Sequence, residues 1–247
     1  CREKVYDLLP PDPLSNPIFD RVRERIGYLQ HHGTLPLRLV NVASPRVTAS
    51  MSWDYTDFMM SLLTSPKEVH HLMEMITKAT IDYVNLQLDL ITDLHSMGHE
   101  VLCVPREVGL RVSDDTAALL SPDLYREFGV YYNGKLTEAF GGVVVHSCGD
   151  CSRIVPAMLE TPLLKGLDLT MPQNSDWYAL ESAAGEVVLS LRHYFWDHGD
   201  QPVDPVEYTS KLIKSFGTTG IFIVTSVPDA GQAVALGQEL WTLLGEV

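Results

Sequence analysis

The sequence is short of cysteines, short of cations and without a long apolar run, and each shortage removes a class of protein. Four cysteines, at positions 1, 103, 148 and 151, are too few and too unevenly spaced to staple 247 residues. A secreted disulfide framework is therefore excluded, and a reducing, cytoplasmic setting is expected. Lys and Arg number 18 against 32 Asp and Glu, a formal charge of −14, and no stretch gathers the cations together. The basic footprint that attracts nucleic acid or an anionic membrane is missing. No segment approaches the ~20 consecutive apolar residues of a membrane span. The start, CREKVYDLLPPDPLSNP, is polar and Pro-rich where a signal peptide is basic and then apolar. A small-molecule substrate is the expectation that remains.

What is present is enough apolar residue, 45% of the chain, to bury one domain. From about residue 35, short β-rich runs alternate with helical ones, the pattern of parallel strands joined by crossover helices in an α/β fold. The expected strands are Leu35 to Val42, Glu100 to Val104, Gly142 to Ser147, Leu164 to Leu169, Val187 to His193 and Gly220 to Thr225. Several are apolar without alternation, as strands buried on both faces are. Ser65-Pro66 and Ser121-Pro122 place proline in the first helical turn and predict helices running to about His95 and Phe140; Gly141-Gly142 ends the second. Further helices are expected at Ile18 to His31 and near 151–160, 176–184, 205–216 and 229–244. Residues 1–34 read as an N-terminal loop and helix, and 35–247 as the βα unit. Six strands are two fewer than a closed eight-stranded barrel requires.

Chemistry in such a fold gathers where strands end and βα-loops begin. In Gly142-Val-Val-Val-His-Ser-Cys-Gly-Asp-Cys151, His146 and Cys148 stand two apart, and a strand points residues of that spacing to one side. An imidazole nitrogen and a thiolate that converge make two ligands for Zn²⁺, and Cys151, at C-x-x-C spacing, adds a third, the second sulfur. The same residue types also serve as packed groups near strand ends. A second segment, Arg106 to Asp115, reads as one polar loop. Glu107, Asp114 and Asp115 are its candidate acids and bases, and Arg106 and Arg111 its substrate-binding cations, although Ser113 and Asp114 also suit the start of a short helix. In a third, Leu191 to His198, His193 and Tyr194 are candidates for binding a flat substrate. The scattered methionines at 51, 59, 60, 73 and 75 read as core filling.

Val112-Ser-Asp-Asp-Thr-Ala-Ala-Leu-Leu-Ser-Pro-Asp-Leu-Tyr-Arg-Glu-Phe128 and Phe140-Gly-Gly-Val-Val-Val-His-Ser-Cys-Gly-Asp150 resemble the uroporphyrinogen decarboxylase superfamily. Within it they look most like the cobalamin-dependent methyltransferase branch, and the likeness extends less specifically from about Pro36 to the C-terminus. The resemblance implies a TIM (β/α)₈ barrel whose first two strands are lacking or diverged here. It implies Zn²⁺ held by His146 and Cys148, an acceptor thiol such as that of coenzyme M, and a methyl group from a corrinoid, methylcobalamin itself or a corrinoid protein partner. The family's third zinc ligand is a cysteine after the last strand, where this chain has Thr225 and Ser226. Cys151 is the expected substitute, followed by Cys103 and then by Glu107 or Asp114. The resemblance also admits a decarboxylase (carboxy-lyase) acting on a tetrapyrrole, with Asp114 or Asp115 stabilising a protonated pyrrole. The Arg-rich start that binds the substrate carboxylates in true decarboxylases has no counterpart in residues 1–40. A non-catalytic barrel that binds a corrinoid or tetrapyrrole is the third reading.

Overall fold

A computed structural model of the chain describes residues 2–98, 102–170, 177–193, 204–225 and 229–245. Helices and short strands follow one another in the order α1 (Pro17–His32), β1 (Leu37–Arg38), α2 (Pro45–Ser52), α3 (Tyr55–Thr64), α4 (Pro66–Leu90), β2 (Leu94–Ser96), β3 (Leu110–Ser113), α5 (Pro122–Tyr125), α6 (Tyr131–Phe140), β4 (Val143–Ser147), α7 (Val155–Met158), β5 (Leu164–Thr170), α8 (Trp177–Glu181), β6 (Val188–His193), α9 (Pro205–Phe216), β7 (Ile221–Thr225) and α10 (Ala230–Gly245). Strands β3 to β7 form a parallel sheet in chain order, and β1 and β2 form a second parallel pair. Backbone bonds join the two. Ser113 N–H donates to the Val42 carbonyl (2.9 Å), Ser44 N–H to that of Ser113 (2.8 Å), and Arg111 N–H to that of Met97 (3.2 Å).

Strands that neighbour one another in chain order, with helices between them, wind in the sense of a (β/α) barrel. A barrel closes only when its last strand finds a second partner. Among the described residues β7 pairs with β6 alone, so the expected barrel is corrected to an α/β fold with open parallel sheets and no closed barrel. Among the described residues, no helix is long and apolar enough to cross a membrane.

Local chemistry explains most of the elements. All five residues of β4 are buried, as a run of three valines with helices on either side requires. Helix starts carry side-chain caps: Ser44, Asp54, Ser121 and Asp204 accept from backbone N–H groups of the first turn, and a proline follows three of them. Gly141, at φ 80°, closes α6 in a left-handed conformation. The helix expected from Ser121 to Phe140 is α5 and α6 joined by a π turn at Arg126–Val130. Gly129 makes that turn possible, since a Cβ there would lie 2.7 Å from the Tyr125 ring.

Two expectations around residue 100 are corrected. Helix α4 stops at Leu90, and the next strand is Leu94–Ser96; Leu102 to Val104 form no strand, and 99–101 lie outside the described residues. Leu110–Ser113, expected within a polar loop, is strand β3 with all four residues buried. The charge of Arg111 disguised it, because a cation inside a strand is stable only when a partner elsewhere in the fold neutralises it.

Candidate metal centre

The register of the parallel sheet sets Ser113, His146, Asp168 and Ser190 side by side across β3, β4, β5 and β6. His146 is buried. Its Nδ1 lies 2.7 Å from the Asp168 carbonyl oxygen and 3.3 Å from Asp168 Oδ2. A carbonyl oxygen only accepts, so Nδ1 carries the proton in neutral imidazole and Nε2 keeps its lone pair. Nε2 faces the strand ends, 3.4 Å from Cys148 Sγ and 3.3 Å from Asp115 Oδ1. One donor atom from each of Asp115, His146 and Cys148 lies within 4.8 Å of the others, with Asp115 and Cys148 exposed above the buried imidazole.

Asp168 and Arg192 are the members of this cluster that sequence reasoning did not select. Asp168 accepts from Arg111 Nε (2.7 Å), Arg192 Nε (2.7 Å) and Ser190 Oγ (2.8 Å), and neither guanidinium has appreciable solvent exposure. Burial alone would raise the Asp168 pKa; hydrogen bonds from His146 and Arg192 and the charges of Arg111 and Arg192 hold it well below the usual carboxylate range. The available signal was Asp168 set between two leucines in LKGLDLT and Arg192 following a leucine in VLSLRH. Arg111, expected to bind substrate, is instead part of this interior ion cluster.

The adjacent aspartates face opposite ways. Asp114 is fully buried, pairs with Arg46, and accepts from Ser44 Oγ (2.6 Å) and Tyr125 Oη (3.2 Å). Expected as a candidate acid or base, its carboxylate is enclosed by these partners. Asp114 N–H donates to the His146 carbonyl (2.6 Å), tying the end of β3 to β4. Asp115 then opens a 3₁₀ turn and swings over β4, where Oδ1 accepts from Cys148 N–H (3.2 Å). A hydrogen bond from His146 takes its pKa down to about 2.

Arg106 and Glu107 lie exposed in the turn before β3, at the opposite end of that strand from Cys148, because the chain between them and Asp115 is extended. Expected to bind substrate and to act as an acid or base, they are not brought together with His146 and Cys148. Cys151 is buried, its thiol pushed up to about 12 by that burial, and its carbonyl accepts the first bonds of the turn leading into α7. It is absent from the ligand cluster, so the expected third ligand is not supplied by this sulfur. Gly149, at φ 87°, turns the chain between the two cysteines. Cys103 sits by His95 instead, Sγ to Nε2 3.6 Å. His193 ends β6, and Thr225 lies opposite it on β7; Tyr194 and Ser226 lie outside the described residues.

Burial opposes a charged His146, but hydrogen bonds to Asp115, Asp168 and Cys148 outweigh it and push the pKa from 6.5 up to about 11. In the metal-free protein, folding therefore favours the imidazolium. That contribution is complete below pH 6.5 and is lost as the pH rises toward about 11. The melting temperature of metal-free protein should fall across this alkaline range, and His146→Gln should flatten the slope; calorimetry at fixed ionic strength measures both. A melting temperature that rises from pH 7 to pH 10 would contradict the assignment. Asp115 acts in the other sense, with its contribution present above 3.8 and lost as the pH falls toward about 2.

Parallel βα units with imidazole, thiol and carboxylate converging at adjacent strand ends define an α/β protein with a candidate metal centre. The model of the uroporphyrinogen decarboxylase (URO-D) family matches residues 2–187, and the chain belongs to that family. No curated protein matches it. Among solved structures, a methyltransferase from Methanosarcina mazei superposes with a TM-score of 0.62 at 19% identity, over 88% of this chain and 62% of that one. The likeness at this identity is one of fold, and the chain spans less than two thirds of that protein's length.

Proposed function

We propose that the chain is a zinc-dependent methyltransferase, moving a methyl group between a corrinoid and a thiol or similar acceptor, with His146 and Cys148 as metal ligands. The observation that carries this reading is the position of His146 Nε2, 3.4 Å from Cys148 Sγ, with the ring held by the bond from Nδ1 to the Asp168 carbonyl; zinc would take the place of the Nε2 proton. Donor atoms around tetrahedral Zn²⁺, with bonds of ~2.0–2.3 Å, lie about 3.3–3.7 Å apart. The pair fits the ion without rearrangement. A carbonyl on the far nitrogen is the outer-shell contact that fixes a ligating histidine.

Bound zinc would lower the pKa of an acceptor thiol so that thiolate exists at neutral pH. The chain's own residues supply the rest. Asp168, clamped by Arg111 and Arg192, orients the imidazole; Cys148 and Asp115 stand at the exposed side, where an acceptor can approach. The decarboxylase reading draws on Asp114 or Asp115 and on arginines, and of these Asp114 and Arg111 are committed to Arg46 and Asp168. The relative from Methanosarcina mazei adds support, since it is a methyltransferase of the same fold.

Purified protein should hold about one Zn²⁺ per chain by elemental analysis, the stoichiometry of a single ligand set. It should also demethylate methylcobalamin in the presence of a thiol, followed by absorbance. A preparation that stays metal-free after incubation with zinc would remove this mechanism.

A further inference from the structure

We infer that Asp115 is the third protein ligand of the metal, giving a centre with one nitrogen, one sulfur and one oxygen donor, drawn from two neighbouring strand ends. The inference rests on the proposed zinc site and deepens it. Asp115 Oδ1 lies 3.3 Å from His146 Nε2, close to the Nε2 to Sγ separation of 3.4 Å and to the spacing of two ligands on one zinc ion, and all three donor atoms lie within 4.8 Å of one another. Among the described residues no other His, Cys, Asp or Glu joins this group.

The backbone explains why this aspartate and not its neighbour. Asp114 is drawn inward by Arg46 and bonded through its N–H to β4, and the 3₁₀ turn that follows carries Asp115 outward above that strand. Cys148 N–H then holds the carboxylate in place. Among the described residues the alternative sulfurs are occupied elsewhere, Cys151 in the core and Cys103 beside His95.

The substitution of oxygen for sulfur keeps the formal charge, since one thiolate and one carboxylate neutralise Zn²⁺ as two thiolates do. It changes the softness. A carboxylate donates less charge to zinc than a thiolate, leaving a stronger Lewis acid toward a fourth ligand. Three protein ligands leave that fourth position open, as in catalytic sites. Asp115 and Cys148 lie on the exposed side of the group and the imidazole on its buried side, so a fourth ligand would have to come from the exposed side.

The test is a zinc titration against a chromophoric chelator at fixed pH, with Co²⁺ absorption as the second readout. Asp115→Ala should bind zinc at least about tenfold more weakly, since loss of even an outer-shell partner costs about 10- to 100-fold. His146→Ala should lose binding, and Cys103→Ser should match the parent. With Co²⁺, the sulfur-to-metal charge-transfer band should show one thiolate in the parent and roughly double in Asp115→Cys, because its intensity follows the number of thiolates. Parent-like zinc affinity in Asp115→Ala, with binding lost in His146→Ala, would overturn the inference and leave the zinc site standing. An undoubled band in Co²⁺-loaded Asp115→Cys would also overturn it. Absence of binding by the parent itself would instead overturn the zinc reading on which the inference rests.

Discussion

Asp168→Ala should lower the melting temperature by roughly 10 °C, the largest loss of stability expected at the site. The carboxylate is wholly buried and accepts from both Arg111 and Arg192. Removing one partner of a buried ion pair costs about 3–5 kcal/mol, because the remaining charge stays in the interior without compensation. In a domain of this size each kcal/mol corresponds to roughly 2–4 °C. Asp168→Asn keeps the shape and one acceptor oxygen but removes the charge, so it should also be destabilised. It should hold zinc within about tenfold of the parent, because Nδ1 of His146 retains the backbone carbonyl of residue 168. Thermal melts and zinc titrations of both variants separate the two roles. A melt of Asp168→Ala within a degree or two of the parent would show that the arginines do not depend on this carboxylate.

The second large effect is on activity alone. Cys148→Ala should reduce thiol-dependent demethylation of methylcobalamin by about two orders of magnitude or more, the scale of losing the metal's contribution. Its side chain is exposed at the end of β4, so the fold should lose little packing. Circular dichroism and melting should match the parent while turnover disappears. Unfolding of the variant would mark Cys148 as a packing residue and remove it from the metal centre. Turnover that survives in a folded variant would do the same.

Much of this arrangement is written locally. The valines before His146 specify a buried strand, and proline after serine or aspartate marks where helices begin. Gly141 stops α6 because glycine adopts the left-handed conformation without a Cβ penalty. The spacing of His146 and Cys148 is likewise legible, since the period of a strand sends both to one side. Strand β3 was not legible, because its four residues include a cation whose partner lies 57 positions away.

The sequence by itself determined the alternation of parallel strands and helices and the imidazole–thiol pair at a strand end, because each depends on neighbours within a few residues. Only the tertiary structure decided which carboxylate serves which purpose. Asp114 and Asp115 are adjacent and chemically identical, yet Arg46 claims the first and a turn above β4 presents the second to His146. Cys151 likewise has the spacing of a ligand and the position of a core residue. These outcomes depend on the register between β3, β4 and β5 and on charges brought together from distant segments, which local pattern cannot express.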